Sequence, residues 1–195
     1  MEKYPKDIKI KNGNHVVLDK LSDEHLENLV EFFQLLPAED RMYLRFDVAN
    51  RDNILRRFGT LNYDHIFPLI AIHQNKIIAQ GNVSRAEFGW KRNLGEIRIV
   101  VAKDFQRMGL CTILTRELFL YALSSNFYKI QAEIMESQGS AFAAFERMGF
   151  KKEAVLRKHV TDIDENRNNL IIMSLDIQDM WYLLEDYLSD RMYVT

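Results

Sequence analysis

The chain has 195 residues, 47% of them hydrophobic and 28% charged. Such proportions suit one ordinary globular domain over residues 1–195, with enough apolar material for a sizeable core. A net charge of −2 leaves no basic excess for contacts along a phosphate backbone, so no nucleic acid is expected as a main partner. The one cysteine, Cys111, can form no internal disulfide, and the histidines at 15, 25, 65, 73 and 159 show no ligand spacing, so no metal is expected. Residues 1–11 are polar and charged, unlike a signal peptide. No apolar run approaches the ~18 residues of a membrane span, so a cytoplasmic protein without membrane contact is expected.

In chain order, residues 15–21 (HVVLDKL) read as a short strand. Ser22 then caps a helix whose first turn carries Asp23 and Glu24. Leu26, Leu29, Val30 and Phe33 fall at helical spacing, and Pro37 stops the run. A second helix is expected over 38–46, and a third from about Asp52, holding Ile54, Leu55 and Phe58. Residues 68–74 and 76–87 are rich in strand-forming residues and joined at Gln74-Asn75, which predicts an antiparallel hairpin. The strand over 95–101 follows, with Glu96, Arg98 and Val100 on one face and Ile97, Ile99 and Val101 on the other. A helix over 109–123, a strand over 129–136 and a short helix over 140–148 ended by Gly149 come next. Two last strands flank the polar turn 164–169. An amphipathic helix at about 177–189 closes the chain, its Met180, Trp181, Leu184, Tyr187 and Leu188 docking on the core or forming a dimer contact.

The segment that carries chemistry is the strand-to-helix turn Gln106-Arg107-Met108-Gly109-Leu110-Cys111. A glycine there lets the backbone approach a ligand closely. The first N–H groups of the helix have no internal partner, and the helix dipole adds to their attraction for an anion. Gln106 and Arg107 add side-chain donors. A plain turn with no ligand is the alternative on these residues alone.

VAKDFQRMGLCTIL resembles motif A of the GNAT superfamily of N-acetyltransferases, whose pattern is Q/R-x-x-G-x-G/A after a strand and at a helix start. Gln106 and Gly109 match; Cys111 stands where Gly or Ala is usual. Downstream, AFAAFERMGF resembles the family's helix ending in Y-E-K-L-G-F, and its Gly149 follows Gly109 by forty residues with the family's elements between. The resemblance covers about residues 15–175. It implies an α/β (α+β) GNAT fold: a twisted mixed sheet of about seven strands flanked by helices. It also implies acetyl-CoA as cosubstrate, held in the V between the strands at 96–101 and 129–136. The pyrophosphate would lie on backbone N–H groups of Met108, Gly109, Leu110, Cys111 and Thr112, beside Gln106 and Arg107. Pantetheine would run along Ile99, Val100 and Val101.

EIRIVVAKDFQRMGLC further resembles the Pat-type bacterial protein lysine acetyltransferases, which place a glutamate ten residues before the motif glutamine, where Glu96 stands. LPAEDRMYLRF (36–46) and LNYDHIFPLIAI (61–72) extend that likeness toward the acceptor side. A protein lysine is therefore the expected acceptor, with a small amine or a non-catalytic acyl-CoA sensor as alternatives, in a monomer or homodimer.

A lysine amine, with a reference pKa of about 10.4, must lose a proton before it attacks a thioester. A carboxylate can take that proton. Glu96 is the first catalytic candidate, its plainer role being an ion pair with Arg98 or Lys91. Glu133, on the neighbouring strand, is the second. Phe145 replaces a tyrosine that many superfamily members use to protonate the leaving thiolate, and phenylalanine has no proton to give. Gln138 replaces a common asparagine. Cys111 is a nucleophile or, with no base beside it in sequence, a small packing residue. Arg51, Arg56 and Arg57 face an acidic protein surface or form a solvated helix face.

Overall fold

The structure, a computed structural model, describes residues 3–44, 46–59 and 62–179. Among the described residues its frame is a single sheet of eight strands: β1 (Lys6–Lys9), β2 (His15–Lys20), β3 (Ile66–His73), β4 (Lys76–Ser84), β5 (Leu94–Val101), β6 (Lys129–Met135), β7 (Lys151–Thr161) and β8 (Arg167–Asp176). The spatial order is β1-β2-β3-β4-β5-β6-β8-β7. β5 and β6 pair in parallel, and the other neighbouring pairs are antiparallel.

Helices cover both faces because the central strands are apolar on both sides. Along β3, Phe67, Leu69 and Ala71 enter one core with Leu110, Leu114 and Leu118 of α4 (Leu110–Ser124) and Phe145 of α5 (Gly139–Arg147). Ile66 and Ile70 enter a second core with Leu29, Val30 and Phe33 of α1 (Leu26–Leu35) and with Ile54 and Phe58 of a later helix, Arg51–Phe58. Between these two helices lies a short one, so the pair are numbered α2 (Ala38–Arg41) and α3 (Arg51–Phe58).

Local chemistry starts these elements where the residue types predict. Ser22 opens the first helical segment, its N–H donating to His25 Nδ1 at 3.2 Å. The Asn50 side chain caps α3 by accepting from the Asp52 N–H at 2.9 Å. Gln74 and Asn75 take positive φ at the hairpin turn.

Three expectations change. The polar N-terminal segment supplies an edge strand, β1, which raises the strand number from about seven to eight. It is drawn in because Tyr4 and Lys6 reach Glu117, a carboxylate of α4 whose side chain is 1% exposed. Burial there opposes the charge, but hydrogen bonds from Lys6, Arg116 and Tyr4 outweigh it and hold the carboxyl below its usual pKa. The second helix ends at Arg41 rather than near residue 46. The chain turns there so that Phe46 packs on Phe33 and Phe58, with ring centroids 6.5 and 6.2 Å apart. The final turn falls at 162–166, where the Asp162 carboxylate gathers the N–H groups of Asp164 and Asn166 and the amide of Asn168. From residue 180 onward, the expected C-terminal helix lies outside the described residues.

Gly95 closes the near end of the β5–β6 pair. A Cβ there would meet Phe127 at 2.8 Å and Val83 at 2.9 Å, too close without movement of either. Gly95→Ala is therefore expected to cost about 1–3 kcal/mol, read as a lower urea midpoint with an unchanged slope.

Candidate active site

β5 and β6 pair over only three positions, Leu94↔Lys129, Gly95↔Ile130 and Glu96↔Gln131. Beyond Glu96, β5 stays with β4 as far as Val101, and β6 stays with β8 as far as Met135. The sheet therefore parts into a V inside its own plane. Ala102 donates to the Ile78 carbonyl at 2.8 Å. By strand alternation, Val100, Arg98 and Glu96 also turn their backbone groups to β4, while Ile97, Ile99 and Val101 turn theirs the other way; the Ile97 N–H makes the last rung to β6, which leaves Ile99 and Val101 facing the V. Of the three residues expected beside a pantetheine arm, Ile99 thus offers its backbone groups, Val101 offers its N–H while its carbonyl accepts from Gln106, and the Val100 backbone is committed to Gln80.

The loop after β5 leads to the N-terminus of α4. Arg107 and Gly109 take left-handed φ of 60° and 92°, which wraps the backbone ahead of the helix. The first α4 amide bonded back to the loop is Ile113, to the Gly109 carbonyl at 3.0 Å. The amides of Leu110, Cys111 and Thr112 precede it at the positive end of the dipole. Lys11 N–H donates to the Met108 carbonyl at 3.3 Å, so the β1–β2 turn braces this loop. Gln106, expected to add a donor for a ligand, instead donates its side-chain amide to the Val101 carbonyl at 3.2 Å and ties the loop to the end of β5. Arg107 is exposed.

On the α1–α3 side of the sheet, a cavity of about 460 Å³ lies beside β5. Phe33, Leu44, Phe46 and Phe58 form an apolar wall, and Gln80, Asn82 and Ser84 of β4 form the floor. Glu96 and Arg98 line it, and Asn53, Arg56 and Arg57 of α3 stand at its edge. The polar floor depends on a β-bulge: Ile72 pairs with Ile77 but Ala71 pairs with Ala79, leaving Ile78 as the extra residue. Without it, strand parity would turn Ala79, Gly81 and Val83 toward the cavity instead. Gln80 and Asn82 are nearly buried and bond to each other, amide to carbonyl, at 3.3 Å.

Both candidate carboxylates meet one cation. Arg98 Nη2 lies 3.9 Å from Glu96 Oε1 and 3.6 Å from Glu133 Oε2. Glu96 lines the cavity, and Glu133 does not. The expected Glu96–Arg98 pair is present, but its extension to Glu133 was not foreseen. The polar floor was also missed, although Gln80, Asn82 and Ser84 recur at every second residue of an apolar strand, a readable signal.

Phe145 is buried and packs edge-on against Phe150 with ring centroids 4.9 Å apart. Gln138 accepts from the Met135 N–H at 3.0 Å and shapes the turn into α5. Arg51 pairs with Glu27 of α1 and stands apart from Arg56 and Arg57, which line the cavity. Among the described residues no group of three or more His, Cys, Asp and Glu side chains could hold a metal ion. None of their helices is long and apolar enough to cross a membrane.

A mixed sheet that parts beside a helix N-terminus, with carboxylates at the parting point, defines the class. The sequence matches the Acetyltransferase (GNAT) family over residues 26–150, and the chain belongs to that family. It is an acetyltransferase with the GNAT fold, in a family that uses acetyl-CoA. No curated protein matches it in sequence. Among solved structures it is similar to the GNAT domain of S. lividans PAT, with 16% identity and a TM-score of 0.72, covering 89% of this chain and 99% of that one. It is similar to smu.2055 from Streptococcus mutans UA159, with 21% identity and a TM-score of 0.71, covering 82% of this chain and 98% of that one. It is also similar to the ribosomal-protein-S18-alanine N-acetyltransferase from Escherichia coli, with 19% identity and a TM-score of 0.65, covering 83% of this chain and 94% of that one. At these identities the likeness is one of fold.

Burial pushes the Cys111 thiol up in pKa, against a smaller opposing hydrogen bond with Thr115. The thiolate needed for nucleophilic attack is thus disfavoured. Alkylation of the native protein near neutral pH is expected to be much slower than that of the urea-unfolded chain. Equal rates would return Cys111 to the list of reactive groups.

Proposed function

We propose that this acetyltransferase acts on a primary amine of a protein, a lysine in the first instance, with Glu96 as the base. The observation that carries the assignment is the position of Glu96. It is the last residue of β5 paired with β6, and its side chain lines the cavity where the strands part. Two features favour a protein acceptor. Residues 36–46 and 61–72 resemble the Pat-type enzymes. Phe88 and Trp90, on the loop entering β5, are 92% and 90% exposed, and such aromatic side chains are typical of protein contact surfaces. A small amine is the second reading, favoured by a cavity volume in the range of small-molecule pockets. A cytoplasmic setting belongs to the same proposal and accords with the free thiol of Cys111.

The residues fit the expected cosubstrate. The amides of Met108 through Thr112 would hold the pyrophosphate at the helix N-terminus, and the Ile99 backbone and the Val101 N–H would pair with the pantetheine amides. Acetyl-CoA supplies an activated thioester. The acceptor ammonium gives a proton to Glu96. The nitrogen then bonds to the carbonyl carbon and sheds its second proton to water, the C–S bond breaks, and its electron pair leaves on sulfur. Phe145 offers no proton, so the thiolate departs as the anion and takes its proton from water.

Glu96→Gln keeps the shape and removes the base, so turnover should fall about 10²–10⁴-fold with CoA affinity nearly unchanged. A larger loss in Glu133→Gln would reverse the assignment. Gly109→Val places a branched side chain at a φ of 92° and should weaken CoA binding in calorimetry; unchanged affinity would count against this loop. Incubation with acetyl-CoA and a cell lysate, followed by mass spectrometry, should reveal new acetyl-lysines. Polyamines or aminoglycosides acetylated faster than any lysate protein would promote the second reading.

A further inference from the structure

We infer that the acceptor carries an anionic group close to its reactive amine, and that Arg56 and Arg57 recognise it. The inference rests on the cavity beside Glu96 being the acceptor site. Among the described residues, the ionisable groups lining that cavity are Arg56, Arg57, Glu96 and Arg98. Arg98 is engaged by Glu96 and Glu133 on the sheet. Arg56 and Arg57 are exposed in the last turn of α3 and have no carboxylate or carbonyl partner among the described residues. Their neighbour Arg51 is different: it is paired with Glu27 and does not line the cavity.

The charges are therefore sorted along the cavity. A carboxylate stands at the end where the amine must lose its proton, and two guanidiniums stand on the helix opposite the sheet. The apolar lining of Phe33, Leu44, Phe46 and Phe58 is suited to the hydrocarbon stem that separates an amine from the rest of its molecule. A guanidinium matches a carboxylate or phosphate in shape as well as charge. A polycationic amine would set its remaining charges against Arg56 and Arg57, which costs affinity and steers it away. The same chemistry can come from acidic side chains flanking a protein lysine or from the carboxylate of a small amino acid, and the test separates these sources.

The experiment compares kcat/KM with acetyl-CoA for two peptides of equal length, each with one lysine, flanked in one by Asp and Glu and in the other by Lys and Arg. A carboxylated small amine and a polyamine form the second pair. The wild-type enzyme should prefer the acidic peptide by about tenfold, and the double variant Arg56→Glu/Arg57→Glu should reverse the order. Arg51→Glu should keep it. Both Arg56 and Arg57 are exposed, so the reversal tests charge rather than folding, and circular dichroism verifies this. If only the carboxylated small amine reacts, the charge inference stands and the protein acceptor is replaced by a small one. If peptides react without regard to charge, the protein acceptor stands and the inference is overturned. A polyamine preferred by the wild type, or an order that the double reversal leaves unchanged, also overturns it.

Discussion

The parting of β5 from β6 after Glu96 is the constraint on which the site depends. A strand inside a sheet normally satisfies both edges, and an unpaired backbone edge needs another partner. Here β5 is held on one side by β4 through Val101, and on the other its pairing stops after three residues. Gly95 lets β5 seat closely against Phe127 at the joined end. Gln106 and the left-handed Gly109 then carry the chain from the open end into α4. One parallel β–α–β unit thus sets an unpaired strand edge, a helix N-terminus and a carboxylate around the same opening.

A second constraint decides what lies beneath that opening. The bulge at Ile78 changes the parity of β4, so its polar residues Gln80, Asn82 and Ser84 face the α1–α3 side and Ala79 and Val83 face the α4 core. Buried polar side chains are tolerated where they bond to one another or reach a solvated cavity. Gln80 and Asn82 do so as a pair. The aromatic cluster of Phe33, Phe46 and Phe58 closes the other side of the cavity. Arg98 joins Glu96 to Glu133 across the V, so both carboxylates face one cation.

Elements governed by local chemistry were legible in the sequence. The apolar spacing of α1, the Gln74-Asn75 hairpin turn, the alternation along β5 and the Gly109 turn all appear where the residue types put them. The motifs ending at Gly109 and Gly149 carry the resemblance to the family that the chain matches over residues 26–150. What escaped depends on distant partners. β1 reads as a polar tail because its anchor, Glu117, lies more than a hundred residues away. Gln106 reads as a free donor because the Val101 carbonyl becomes accessible only once the loop folds back. The end of α2 is set by packing of Phe46 on two other helices rather than by a helix-stop signal. The cavity floor depends on a bulge that only strand register reveals.

The most direct test of the parted sheet as the cosubstrate site is hydrogen exchange with and without CoA. Amides of Ile99 and Val101, together with those of residues 108–112, should exchange more slowly when CoA is bound, while those of Val100 and of β8 change little. Protection confined to other regions, or none at β5 under saturating CoA, would contradict it.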